Sequence, residues 1–369
     1  MIPNWNNLND KKKQFIVVFS LCILVLYSVI TFYSASAMHN NNTLAAANHV
    51  ARLSPTAAEP GKTPPDPYPE AKDYTTVKVG TYIDDVDTLS IKDSAWTTNF
   101  YIWFSWQGDR TLDPGSKLTL VDGVINKKEL AEEFHDNNGM NYQRYKVSAK
   151  VIKFFDTVRV PIENHMLNIY VEDSARDGSK LRFEADTSSN ISSRVTIPGY
   201  RITGHGNVVK THTYRSSYGD PRVSPDTRKV FSQYIAAVEI SRIDYGLYVK
   251  LFLSLFAALA LTLSSFFIKP SDIGPRFSLP TGAYFGAVAN SYVVNSILPP
   301  SGAFVLVDHI AGIGLFTIFL SIALSLVSHY LFVRKDEKEL SAALDRAMFF
   351  VVGLSCLIAN IVIPFCARG

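Results

Sequence analysis

The chain has 369 residues, 47% of them hydrophobic and 19% charged, with a net charge of +3. So small a charge, with no basic patch interleaved with aromatics, excludes a nucleic-acid partner. A charged share below the roughly 25% of soluble domains conceals two unlike parts. Residues 72–243 are polar and rich in Tyr, Asp, Arg and Ser, and residues 245–367 are mostly apolar.

In chain order, the basic run Lys11-Lys12-Lys13 precedes an apolar stretch, Phe15 to Tyr33, that ends in Ser34-Ala35-Ser36-Ala37. Positive flank, apolar core and small-residue exit describe an export signal. Its core is long enough to remain in the bilayer, which about 20 residues cross. Residues 1–37 are therefore expected to be a signal peptide, removed on export, or a retained signal anchor. Residues 38–71 lack periodicity, and Glu59 to Glu70 contains five prolines. They read as a flexible linker.

Beyond it the pattern alternates as strands do. Such runs are Val77–Ile83, Trp96–Trp106, Tyr145–Phe154, Leu167–Glu172, Lys180–Ala185, Tyr200–Thr203, Val208–Tyr214 and Val230–Arg242. Turn clusters separate them at Asp113-Pro114-Gly115, Asp177-Gly178-Ser179, Pro198-Gly199 and Gly219-Asp220-Pro221. Many short strands with regular turns predict a β-sandwich over 72–243. Lys127 to His135 reads as its one helix.

Four apolar spans follow, near Tyr245–Ile268, Phe277–Leu298, Ala303–Val333 and Ala347–Cys366. The fold class expected is thus an extracellular (periplasmic) β-sandwich followed by an all-α four-helix transmembrane domain over 244–369. The connections Lys269–Arg276 and Arg334–Arg346 carry basic residues and Pro299–Gly302 carries none. The positive-inside rule puts the first and third in the cytoplasm and the polar domain outside. The cysteines, Cys22, Cys356 and Cys366, all lie in apolar segments, which excludes a disulfide in the polar part and a CxxC metal cluster. Neither a phosphate loop nor a nucleophile elbow is present, and His205 and His212 flank no metal-ligand cluster. No enzyme, catalytic residue, metal or cofactor is expected. Asp308 and His309, ionisable residues at the outer end of the third span, are either functional or interfacial.

Several collinear stretches resemble the pentameric ligand-gated ion channels, the Cys-loop receptor superfamily, and particularly its bacterial members. Val79-Gly80-Thr81-Tyr82-Ile83-Asp84-Asp85-Val86 is similar to the family's first strand. Trp96 to Trp106 is similar to its second, with Trp106 in the place of the core tryptophan. Phe155 to His165 resembles the signature loop: Phe155 and Pro161 match, Glu163 replaces an aspartate, and the flanking cysteines are missing, as in bacterial members. Ile197–Tyr200 and Thr213–Gly219 resemble the strand and hairpin that cap the ligand pocket. Arg242 resembles the arginine at the domain–membrane junction, and Ser296–Pro299 the end of the pore helix.

The resemblance implies a homopentamer in membrane lipid, opened by a small-molecule ligand or protons and passing permeant ions. It implies that the second span lines the pore. Helical spacing there gives the stripe Ser278, Gly282, Phe285, Ala289, Tyr292 and Ser296. Phe285, with Tyr292, either closes the pore by dewetting or packs as an ordinary core residue. Gly274-Pro275-Arg276 stands where cation-selective relatives carry a carboxylate ring, which leaves selectivity open. Pro280 is expected in the first helical turn, where proline is tolerated. The ligand is expected between subunits, on Tyr101 and Trp103, which share one strand face, and on Tyr214 and Tyr218 of the hairpin. Coupling of ligand to pore falls to Asp84, Asp85, Phe155, Pro161, Glu163, Arg242 and Pro299. The alternative is a non-conducting, channel-like membrane receptor or sensor.

Overall fold

The computed structural model describes residues 8–216, 219, 221, 224, 228–243, 245–299 and 302–368. It opens with a 44-residue helix, α1 (Asp10–Leu53). Ten strands follow: β1 (Thr75–Ser90), β2 (Ala95–Gln107), β3 (Leu118–Leu120), β4 (Gly123–His135), β5 (Met140–Ile152), β6 (Asn164–Asp173), β7 (Leu181–Ala185), β8 (Asn190–Ile191), β9 (Tyr200–Tyr214) and β10 (Lys229–Arg242). The chain closes with α2 (Gly246–Ser264), α3 (Ile273–Ile297), α4 (Leu306–Val333) and α5 (Lys338–Ala367). Two compact units result. One holds the residues before Leu44, residues 157–163 and those after Ile243; the other holds 44–156 and 164–243.

The layout expected from the sequence is overturned. A long helix comes first, a mixed-sheet region is central, and the C-terminal helices do not form a domain by themselves. Among the described residues four helices are long and apolar enough to cross a membrane: α1, α2 with the 3₁₀ turn after it, α4 and α5. Only three of these follow the sheets. The reason is the two-faced character of α1. Ile16, Ile23, Tyr27 and Met38 are buried at helical spacing in the same cluster as residues of α2, α4 and α5, and Ser34 is buried on the same side. Val17, Val18, Leu21, Val25, Val29 and Phe32 are exposed on its other side.

Helix bounds also differ from the hydropathy bounds. α5 begins at Lys338, so the connection after α4 is Arg334–Glu337, much shorter than expected. Lys, Glu, Leu, Ala and Arg are all good helix formers, and hydropathy reports lipid contact rather than helix ends. α3 begins at Ile273, which places Pro280 inside the helix instead of in its first turn. Without an N–H, Pro280 cannot supply the helical bond to the carbonyl of Arg276. Polar bonds lace the bundle: Ser254 to Asn290, Tyr248 to the Asn360 carbonyl at 3.2 Å, and Ser328 to Ser341 at 2.8 Å.

In the other unit, β4-β5-β2-β1-β7 form one sheet with β8 beside β1, and β3-β6-β10-β9 form the second. The first is mixed, because β7 and β8 run parallel to β1. Both contribute to one core, including Trp96, Phe100, Phe104 and Trp106 of β2 and Leu167, Ile169, Tyr234 and Val238 of β6 and β10. The indole of Trp106 donates to the Asp109 carbonyl at 2.8 Å. Lys127–His135 is strand, not helix: it pairs with β5 along its length, with register shifts at Ile125/Lys127 and Leu130/Glu132. Its Lys and Glu side chains favour helix locally, but pairing outweighs a few tenths of a kcal/mol per residue. On an edge strand those charges also block further pairing.

The expected linker is also ordered differently. Residues 38–53 continue α1, and residues 54–73 lie along the second sheet without regular structure. Lys210 Nζ donates to the Ala51 and Ala57 carbonyls at 2.6 and 3.1 Å, and Thr211 to the Asp66 carbonyl at 2.5 Å. Arg182 donates to the Pro69 carbonyl at 2.9 Å and lies over the rings of Tyr68 and Tyr74.

Candidate functional site

The expected pore stripe is a single surface of α3. Ser278, Gly282, Phe285, Ala289, Tyr292 and Ser296 are all exposed, with Phe285 at 67% and Tyr292 at 78%. The opposite face, Arg276, Pro280, Ala283, Ala287, Asn290 and Val294, is buried. Ordinary packing therefore does not account for Phe285 or Tyr292 within the chain. Arg276 is fully buried and grips Asp345 of α5 with two nitrogens, while donating to the Ile268 carbonyl at 3.0 Å. Its charge is spent within the bundle and does not reach the stripe.

The four aromatic ligand candidates separate. Tyr101 and Trp103 stand on the outer face of β2, because Phe100, Ile102 and Phe104 take the core side. They line a cleft of about 660 Å³ with Tyr82, Tyr142, Arg144 and Asp186. Register builds it: Tyr82 faces Tyr101 across β1–β2, and Arg144 faces Trp103 across β2–β5. The indole N–H of Trp103 donates to Asp186 Oδ2 at 2.9 Å. Burial pushes the Asp186 carboxyl up, but the backbone N–H of Ser188, the Trp103 indole and Lys78 outweigh it and hold it at about 2. Arg144 and Lys146 lie over the Tyr101 ring, at 5.8 and 5.5 Å from its centre. Tyr82, Tyr142, Arg144 and Asp186 were not singled out from the sequence. The alternation Tyr142, Arg144, Lys146 is visible there, but its register against Trp103 is not.

Trp103 folds flat over Gly80, where a Cβ would sit 2.3 Å from its ring. Gly80→Ala is expected to push the indole aside and break its bond to Asp186, at about 1–3 kcal/mol. In a double-mutant cycle with Trp103→Ala the two losses should be far from additive. Additive losses in thermal melts would remove Trp103 as the cause.

Tyr214 belongs to the other sheet. Its hydroxyl donates to Glu172 Oε2 at 2.9 Å, and its ring lies 4.5 Å from that of His212 and 5.3 Å from that of Phe231. Glu172, 2% exposed, also receives Gln233 Nε2 at 2.7 Å and meets His212 Nδ1 at 2.6 Å. The Glu172 contact raises the His212 pKa above its ordinary 6.5, against an opposing effect of burial. Tyr218 lies outside the described residues. One chain thus does not bring Tyr101 and Trp103 together with Tyr214.

Compared with models of known protein families and with curated proteins, the sequence matches none.

The coupling candidates fall in both units. In the sheet unit, Asp84 sits at a bulge between Ile83 and Asp85, and Asp85 accepts from the Val86 N–H at 2.8 Å. Phe155 is buried against the edge of His165 at 5.0 Å. The Arg242 guanidinium stacks 4.0 Å from the centre of the Tyr200 ring. In the helical unit are Pro161, after a cis peptide bond, buried Glu163, and Pro299. There the 157–163 loop is held by helix ends: the Leu306 N–H donates to the Val158 carbonyl at 2.7 Å. Arg159 donates to Asn42 at 2.5 Å and to the Ala367 carbonyl at 3.4 Å. Asp308 accepts from the Val305 N–H at 3.0 Å, which caps α4. His309 is buried, and its Nδ1 meets Ser34 Oγ of α1 at 2.9 Å.

Proposed function

We propose that the chain is one subunit of a homopentameric ligand-gated ion channel of the bacterial inner membrane, with its sheet unit in the periplasm. The observation that carries this reading is α3. Among the described residues it is the one long helix of the bundle not apolar enough to cross a membrane alone, yet it leaves a broad face exposed, with the stripe and its flanks Tyr284, Val288, Val293 and Ile297 on it. Serines stand at both ends of that stripe, with glycine, alanine and two bulky aromatics between them. Closed rotational symmetry is the usual way for identical subunits to bury such a stripe against itself. Five copies around an axis turn it into a lined channel, with rings of Phe285 and Tyr292 narrow and apolar enough to exclude water. Ser278 and Ser296 stand at its mouths.

The separation of Tyr101 and Trp103 from Tyr214 supports a site shared by neighbouring subunits, each supplying one wall. A small molecule or protons acting there would move the β unit, and the change would pass through Asp84, Asp85, Phe155 and Arg242 to Pro161, Glu163 and Pro299. Lys11–Lys13 at the start of α1 and the basic residues around α5's start support a cytoplasmic location for both.

The test is current across planar bilayers holding the purified protein, scanned with small amines, amino acids and pH. Gated current is expected, and Phe285→Ala is expected to leak or to open more readily. Silence in both proteins, from a verified pentamer, overturns conduction and leaves a receptor that signals through a partner.

A further inference from the structure

We infer that α1 is a permanent fifth membrane helix of the mature protein, and that its Asn42 positions Arg159 in the 157–163 loop. An export leader needs only an apolar core and a cleavable exit. It has no reason to carry side chains that fit another helix. α1 carries them along its length. Near its start, Lys12 pairs with Glu337, between α4 and α5. Further on, Tyr27 Oη and Thr317 Oγ1 hydrogen-bond at 2.7 Å, and the Tyr27 ring meets the edge of Phe316. One level beyond, Ser34 meets His309. At the far level Asn42 accepts from Arg159 and donates to the Arg368 carbonyl at 3.1 Å.

The order is that of an antiparallel pair. From Tyr27 to Ser34 α1 advances seven residues while α4 goes back eight, from Thr317 to His309. These are matching rises of roughly 10 and 12 Å. Of the three partners on α4, Thr317 and His309 are buried and Phe316 is half-buried against the cluster that holds Ile16, Ile23 and Tyr27. Small and hydroxyl side chains hydrogen-bonding between helices are the usual means of association where lipid removes the hydrophobic drive. Cleavage after Ala37 would remove Tyr27 and Ser34 and open a groove lined by Thr317 and His309. It would also turn the helix that presents Asn42 into a free chain end. Arg159, 2% exposed, would then lose the organised acceptor that now holds it beside the Ala367 carbonyl.

Two measurements decide it. The first is the intact mass of the full-length protein, carrying a C-terminal tag and purified from membranes. A mass that includes residues 1–37 is expected, with or without the initiator Met; a mass short by them overturns the proposal. The second is amide hydrogen exchange across 157–163 in Asn42→Ala and Asn42→Asp. Losing a charge-assisted bond should speed exchange there roughly tenfold in N42A, and N42D, which keeps an acceptor for Arg159, should restore slow exchange. Native exchange in N42A, or fast exchange in both, overturns the positioning role. A third variant guards against misfolding: replacing residues 1–37 with an unrelated cleavable leader should lower the melting temperature, and an unchanged melt refutes the docked helix.

Discussion

Arg276→Ala and Asp345→Ala should each cost the folded helical unit about 3–5 kcal/mol, among the largest single-residue losses in the protein. The pair is fully interior, with Arg276 0% and Asp345 5% exposed. Removing one partner leaves the other charge with little water and no counter-charge. Replacing both with apolar side chains of similar volume, as in R276M with D345L, removes the desolvation penalty along with the attraction. That double variant should melt near the wild type or above it. The measurement is thermal unfolding of the purified protein in detergent. Single alanine variants as stable as the double variant would mean that the two charges do not depend on each other. The pair also joins α3 to α5, so its loss should loosen the helix that carries Ser278, Phe285 and Tyr292.

Glu172→Ala should be comparably severe in the sheet unit. The buried carboxylate accepts from Tyr214 and Gln233 and faces His212. Its loss strands the Tyr214 and Gln233 donors, at about 1–3 kcal/mol for each one left unpaired. Glu172→Gln keeps the shape and should lose less. The same contact makes stability depend on pH. His212 has a raised pKa when folded, from the Glu172 hydrogen bond first and then the charges of Glu172 and Asp122, against burial. Its contribution is therefore fully present below its unfolded value near 6.5 and fades as pH climbs through the folded value. Wild type should weaken over that upward window, and Glu172→Gln should flatten the dependence. Equal pH slopes in the two proteins would assign the effect to other groups. Because Tyr214 shares this carboxylate, the titration also reaches the C-terminal end of β9.

What could be read from the sequence follows from which properties are local. Apolar runs of membrane length located α2 and α4 within a few residues and the end, but not the start, of α5, because lipid contact acts residue by residue. Period-two alternation located most strands, and helical spacing on α3 picked out Ser278 through Ser296 as one face, because both periods are set by backbone geometry. The chain also announced an apolar N-terminal stretch, but a leader and a docked helix share hydropathy. Only the partners of Tyr27, Ser34 and Asn42 distinguish them, and those lie 117 to 326 positions away along the chain.

Tertiary structure alone decided the rest. Lys127–His135 carries good helix formers, yet it is strand β4, because the β5 edge offers a full ladder of backbone bonds and propensity offers only tenths of a kcal/mol. Arg144 reaches the Trp103 cleft through a strand register that no single strand encodes. Arg276 and Asp345 are 69 residues apart, and neither signals the other in sequence. Hydropathy and periodicity are properties of each segment and survive in the unfolded chain's sequence. Register, ion pairing and helix docking are properties of two segments at once, and they exist only after the chain has folded.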